Sequence, residues 1–171
     1  MDRHQKFIQE KAKKKRELLG SMFFPRTPVL FLNLSDAKKC EEYADILEGM
    51  EAIKLTTLIL APKNLKNLPS GKFLHYITDD KEESALIAAD FALIWNSDID
   101  SVSKHGCVPI AKTDGDETVD YNPLLEKGNG FYYKDINKWE MFAAIVRACE
   151  TYQFPYDWEN LIKGILKNLS S

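Results

Sequence analysis

Short apolar runs separated by helix-forming segments recur along most of this chain of 171 residues. Each run has the length of a strand and little polar interruption, which is typical of strands buried on both faces. Strands that alternate with helices favour a parallel sheet with right-handed crossovers. We therefore predict an α/β fold, a single Rossmann-like domain over residues 1–171, with helices covering both faces of a parallel sheet. The predicted strands are residues 29–34, 55–61, 72–78, 91–95, 108–111 and 130–133.

Helical segments precede, separate and follow these runs. One of them, residues 136–152, follows Asp135, and an aspartate is a good N-cap. Its apolar residues at helical spacing are predicted to face the core. They are Trp139, Phe142, Ala143, Val146 and Cys149. Either Asp79 or Asp80 is predicted to cap a helix at 82–89. The other predicted helices are residues 2–19, 37–50, 98–105 and 156–169.

The beginning of the chain is basic: residues 1–16 hold seven Lys or Arg and two acidic residues. Such a run is either an arm for nucleic acid or lipid, or the solvated face of a helix. We prefer a helix docked through its apolar residues, because no aromatic residues for base stacking alternate with the basic ones. Those apolar residues are Phe7, Ile8, Leu18 and Leu19. The net charge of −3 also argues against nucleic acid or an anionic membrane as a partner.

The cysteines show no metal-ligand spacing. Cys40, Cys107 and Cys149 lie far apart, so we expect reduced thiols in a cytoplasmic protein, with no metal. No apolar run approaches the roughly 20 residues of a membrane helix, and no hydrophobic signal region follows Met1.

One acidic cluster is open to two interpretations, a divalent-cation site or a solvated loop, and we prefer the loop. The cluster consists of Asp114, Asp116, Glu117 and Asp120.

Five segments carry motif-like sequences, in the order ADFALI, GCVPI, KTDGDETVDYN, GNGFY and YDWENL. They are residues 89–94, 106–110, 112–122, 128–132 and 156–161. In this order they resemble motifs of the glycogen and starch synthases, which are GT-B glycosyltransferases. The resemblance covers the carboxyl-terminal Rossmann-like domain of such an enzyme almost from end to end. It implies that this chain has the same fold.

The same resemblance shows where a donor site is degenerate. In the family an Arg and a Lys after the first strand hold the sugar-nucleotide diphosphate, and the matching positions here are Asn33 and Lys38. An amide does not replace a guanidinium, because it brings no charge. The loop after residue 94 is shorter than in the family, and there is no glutamate between Glu83 and Glu117. The family glutamate that lies near the reacting sugar therefore has no counterpart.

The resemblance thus implies a glycosyltransferase-like domain that is not catalytic alone, and we assign no catalytic residue. We expect residual binding of a nucleotide sugar (ADP-glucose or UDP-glucose) or of a glucan, or binding to a separate glycosyltransferase chain. Two alternatives remain: the donor-binding half of a split enzyme that acts with a separate amino-terminal-half chain, and a structural or oligomer-forming domain without a ligand. The candidate substrate-binding residues are Lys38, Lys112, Thr113, Gly115 and His105.

Overall fold

The computed structural model describes residues 3–24, 26–34, 40–63, 65–94, 99–113, 115 and 118–169. The chain divides into two compact units, Met1–Asp90 and Phe91–Ser171. Within the described ranges, no helix combines the length and apolarity needed to cross a bilayer.

The described part of the first unit contains three strands and three α-helices. Its strands have the order β3-β2-β1 and pair in parallel, with Val29 opposite Thr56 and Leu60 opposite Ile77. Every residue of β2 is buried, as expected for an inner parallel strand. The elements are α1 (Arg3–Leu19), a 3₁₀ turn (Gly20–Met22), β1 (Val29–Asn33), α2 (Cys40–Ala52), β2 (Thr56–Leu60), β3 (Leu74–Ile77) and α3 (Glu82–Ala88).

The basic helix α1 packs against α3. Two of its lysines, Lys11 and Lys15, point inward. The Lys11 ammonium donates to the carbonyl oxygens of Ile87, at 3.0 Å, and Ala89. Leu19 is buried as predicted, whereas the prediction for Ile8 is wrong, since its side chain is 54% exposed. Part of the basic character of this segment therefore stabilises the fold.

Among its described residues, the second unit has three further strands and three helices. Its strands have the order β4-β5-β6 and are also parallel, with Phe91 opposite Val108 and Ile110 opposite Phe131. The elements are β4 (Phe91–Ile94), α4 (Ile99–Ser103), β5 (Val108–Lys112), β6 (Phe131–Tyr133), α5 (Lys138–Tyr152) and α6 (Pro155–Asn168). In both units parallel strands alternate with helices, which confirms the predicted Rossmann-like parallel α/β fold.

Two predictions for α5 are wrong. Trp139 is 73% exposed, and a different stripe is buried, so the helix is rotated relative to the prediction. The buried residues are Met141, Ala144, Ile145 and Ala148. The N-cap is Asn137 rather than Asp135: its side-chain oxygen accepts hydrogen bonds from the backbone N–H groups of Trp139 and Glu140.

The predicted aspartate cap of α3 is also wrong. Asp79 and Asp80 form the start of a 3₁₀ turn, Asp79–Lys81, that runs directly into the helix. The N-cap position of α3 is Lys81, which makes no side-chain cap bond. The two aspartates therefore lie before the α-helix rather than at its cap.

Candidate functional site

The candidate site lies at the carboxyl end of β5, where a parallel α/β sheet commonly binds ligands. Lys112 is the last residue of the strand and its side chain is exposed. The next residue, Thr113, is half-buried, and its backbone N–H donates to the Tyr133 carbonyl at 2.8 Å. This hydrogen bond extends the pairing between β5 and β6 by one residue beyond Lys112. It also fixes the start of the turn that follows β5.

Two threonine hydroxyls close this turn. The Thr113 and Thr118 oxygens are 2.7 Å apart, and the Thr118 hydroxyl also donates to the Gly115 carbonyl at 3.1 Å. Because Thr118 has one hydroxyl proton, the proton between the two threonines comes from Thr113. The Thr113 hydroxyl is therefore used within the turn, and it must leave Thr118 before it can donate to a phosphate. Thr118 lies within the KTDGDETVDYN segment, but the sequence alone does not predict that its hydroxyl closes the turn.

Gly115 gives the turn an open side. Its φ is +123°, a conformation that L side chains rarely adopt. A Cβ placed on it meets no heavy atom of the described residues within 4 Å. The Gly115 backbone is therefore uncovered on that side by any residue that the structure describes.

The other candidate residues do not join this turn. His105 lies in the turn between α4 and β5, at the amino end of the strand, and its backbone N–H donates to the Val102 carbonyl. Lys112 is at the opposite end, roughly 13 Å away along the strand. Lys38 lies outside the described residues. So do Trp95, Asp114, Asp116 and Glu117.

In the first unit, Asn33 ends β1 at the position matched to the family arginine. Its side-chain N–H donates to the Glu82 carboxylate at 3.0 Å. The amide is thus engaged within the fold and offers no positive charge for a phosphate. In the second unit, α4 has only five residues, so it is a very short helix for cradling a diphosphate.

Asp120, a member of the acidic cluster, has a structural role. One carboxylate oxygen accepts the Tyr132 backbone N–H at 2.6 Å, and the other lies 3.2 Å from the Arg147 guanidinium. Arg147 in turn donates to the Tyr132 carbonyl at 2.8 Å. This carboxylate connects the segment before β6 to α5.

Tyr121 attaches the same segment to α6. Its hydroxyl donates to the Asp157 carboxylate at 3.1 Å, and its side chain is only 8% exposed. Burial, together with this carboxylate, raises the pKa of Tyr121 to about 12. At neutral pH the phenol is therefore protonated and acts as a hydrogen-bond donor. The DYN and YDW segments of the sequence thus meet through a structural contact.

Comparisons with known proteins support the predicted resemblance over part of the chain. No family model matches. Glycogen synthase 1 of a Synechocystis strain is 34% identical over 61 residues, which is 34% of this chain and 13% of that protein. Glycogen synthase of Geobacillus thermodenitrificans is 31% identical over 67 residues, or 37% of this chain and 14% of that protein. The matches thus span a small part of these relatives.

A solved structure extends the comparison to nearly the whole fold. The catalytic domain of starch synthase IV from Arabidopsis thaliana, bound to ADP and acarbose, aligns with a TM-score of 0.70 and 14% identity. The alignment covers 95% of this chain and 39% of the starch synthase chain. The resemblance to glycogen and starch synthases is therefore confirmed, and the Rossmann-like fold is consistent with a GT-B carboxyl-terminal domain.

Proposed function

We propose that this chain is a glycosyltransferase-like domain that retains weak binding of a nucleotide sugar and does not transfer the sugar alone. The observation that carries the proposal is the exposed Lys112 at the carboxyl end of β5, followed by a turn that is open at Gly115. An ammonium group and accessible backbone suit the phosphates of a donor such as ADP-glucose or UDP-glucose. The Arabidopsis starch synthase with this fold was solved with ADP bound.

Two observations, one in each unit, lead us to expect low affinity. Thr113 uses its hydroxyl proton within the turn, and the amide of Asn33 is engaged with Glu82. One lysine in water-exposed surroundings contributes little, because solvent screens its charge. Among the candidate residues that the structure describes, Lys112 is the cation for a diphosphate. Lys38 is a second candidate, from the sequence alone.

Transfer by this chain alone is disfavoured by what the sequence lacks. The family holds the reacting sugar with a glutamate of the loop after the fourth strand, and residues 84–116 contain none. Catalysis requires groups that stabilise the transition state more than the substrate. Among the described side chains near Lys112, we assign none to stabilisation of the transition state.

Calorimetric titration tests the proposal. ADP-glucose and UDP-glucose should bind with a Kd of roughly 1 mM or weaker, AMP and glucose more weakly, and Lys112→Met should lower affinity by about twofold to fivefold. The matched control is Lys127→Met, which removes another exposed lysine of the same unit. Lys38→Ala tests the second candidate cation. Absence of diphosphate-dependent heat, or equal loss in the Lys127 control, would contradict donor binding.

A second candidate function is the donor-binding half of a two-chain enzyme, favoured by the 39% coverage of the starch synthase chain. The chain purified from its own cells should then incorporate glucose from ADP-glucose into glycogen, whereas the recombinant chain alone should not. Lys112→Met should abolish the activity that co-purifies. Retardation in a native gel containing glycogen separately tests glucan binding. A chain that binds neither donor nor glucan and gains no activity would be a structural or oligomer-forming domain.

A further inference from the structure

A recess of about 150 Å³ lies in the first unit, at the amino ends of β2 and β3. The candidate residues Thr113 and Gly115, by contrast, follow the carboxyl end of β5. Its apolar lining comes from Met22 and Phe24, which follow α1, and from Phe73, which precedes β3. A recess of this volume accommodates one benzene-sized ring.

Strand register explains how this lining is assembled. In the parallel pair, Thr57 is opposite Leu74 and Leu58 is opposite His75, so Thr56 extends the pattern opposite Phe73. Side chains alternate between the faces of a strand. Thr56, Phe73 and His75 therefore project from one face of the sheet, and the segment after α1 covers them.

Polar groups in the recess have no hydrogen-bond partner among the described residues. The neighbouring Thr57 hydroxyl donates to the Leu55 carbonyl at 3.0 Å, whereas Thr56, which is 6% exposed, makes no such bond to any residue the structure describes. The half-buried His75 imidazole likewise has no hydrogen bond within the described ranges. Burial lowers the pKa of His75, so the ring is neutral at pH 7. The Thr56 hydroxyl and the His75 imidazole can therefore hydrogen-bond to a ligand in the recess.

One cation, Lys72, belongs to the lining of the recess. Lys72 is exposed at the rim, with its ammonium 5.7 Å from the centre of the Phe73 ring, and forms no ion pair within the described part of the chain. The nearby Glu51 carboxylate accepts the backbone N–H groups of Lys72 and Phe73 at 2.9 and 2.8 Å. Glu51 is therefore turned toward the backbone, and Lys72 is the charged group of the lining.

We propose that this recess binds a small aromatic carboxylate. The single ring lies between Phe24 and Phe73, where aromatic side chains pack edge or face against it. The carboxylate accepts from the Lys72 ammonium and the Thr56 hydroxyl. A neutral ring compound satisfies only the apolar lining, and a small aliphatic acid satisfies only the polar groups. The inference uses residues of the first unit and does not depend on nucleotide-sugar binding.

Titration of the ¹⁵N-labelled full chain with benzoate tests this assignment. Benzoate should bind with a Kd of roughly 1 mM and shift the amide resonances of residues 56 and 72–75. Benzyl alcohol should bind about tenfold more weakly, and acetate should leave these resonances unchanged. Lys72→Met should weaken benzoate binding about tenfold, whereas Lys66→Met, which removes another exposed lysine of the same unit, should not.

The near-isosteric Thr56→Val variant tests the hydroxyl and should weaken benzoate several-fold while the amide spectrum stays that of a folded protein. The assignment is overturned by benzoate shifts that lie elsewhere, or by the absence of shifts at tens of millimolar. It is also overturned if benzyl alcohol binds as well as benzoate and Lys72→Met binds like the unmodified chain. In that case the recess selects a ring without a carboxylate.

Discussion

The ammonium of Lys15 and the carboxylate of Asp90 form a buried ion pair, with Nζ and Oδ2 2.6 Å apart. Their side chains are 8% and 4% exposed. The same oxygen of Asp90 accepts the Val29 backbone N–H at 2.8 Å. One carboxylate therefore holds both α1 and the first residue of β1, so the basic helix is part of the first unit and not only a solvated arm.

Removal of the lysine should expose the dependence of the fold on this pair. Lys15→Met leaves a buried carboxylate without its counter-ion, so we expect the free energy of unfolding to fall by about 3–5 kcal/mol. The control is Lys13→Met, whose side chain is 75% exposed and lies 3.9 Å from Glu17. Urea denaturation should show a large shift of the midpoint for the first variant and almost none for the second. Equal midpoints would show that the buried pair contributes little.

Tyr121 should give the second unit a specific sensitivity to alkaline pH. Its pKa is about 12 in the folded protein and about 10 when unfolded, so ionisation favours the unfolded state. The contribution of Tyr121 is complete below pH 10 and is lost as the pH rises toward 12. Between those values, the unmodified chain should lose about 1–2 kcal/mol more stability than Tyr121→Phe. Urea unfolding at several pH values checks this, and parallel pH curves for the two proteins would contradict it.

The strands were predictable because parallel strands buried on both faces give continuous apolar runs. The residues at which the strands begin and end were harder to predict. The predicted strand at 72–78 begins at Leu74, and the Lys72 and Phe73 N–H groups are bound by the Glu51 carboxylate, which lies on α2. That bond joins residues more than 20 positions apart, so the local pattern carries no sign of it.

The orientation of α5 and the geometry of the candidate site were also hard to predict, because both depend on contacts between residues that are distant in the sequence. Both Trp139 and Met141 belong to apolar stripes of α5, and only packing against the strands decides which stripe is buried. At the candidate site, the sequence places Lys112, Thr113 and Gly115 on one turn. It does not show that the Thr113 hydroxyl is hydrogen-bonded to Thr118, or that His105 lies at the other end of β5.

The N-cap of α5 offers a direct test between two neighbouring residues. Asn137 accepts the Trp139 and Glu140 N–H groups, while the Glu140 carboxylate accepts the Lys134 and Asp135 N–H groups at 2.8 and 2.9 Å. Asn137→Ala should therefore cost about 1 kcal/mol of unfolding free energy. Asp135→Ala should cost much less, because its side chain does not cap the helix. Chemical denaturation distinguishes them, and a larger effect at Asp135 would restore the cap predicted from the sequence.

Two glycines of the second unit should respond to alanine in opposite ways. Gly128 has a φ of +132°, and an added Cβ would lie 2.3 Å from the Tyr121 Cα, which is backbone and cannot rotate away. Gly128→Ala should therefore destabilise the fold by more than about 2 kcal/mol. Gly164 lies within α6, and a Cβ there meets no described atom within 4 Å, so Gly164→Ala should stabilise by about 0.5–1 kcal/mol. Thermal and urea unfolding measure both, and a neutral Gly128→Ala would mean that the segment before β6 can move away from the new methyl group.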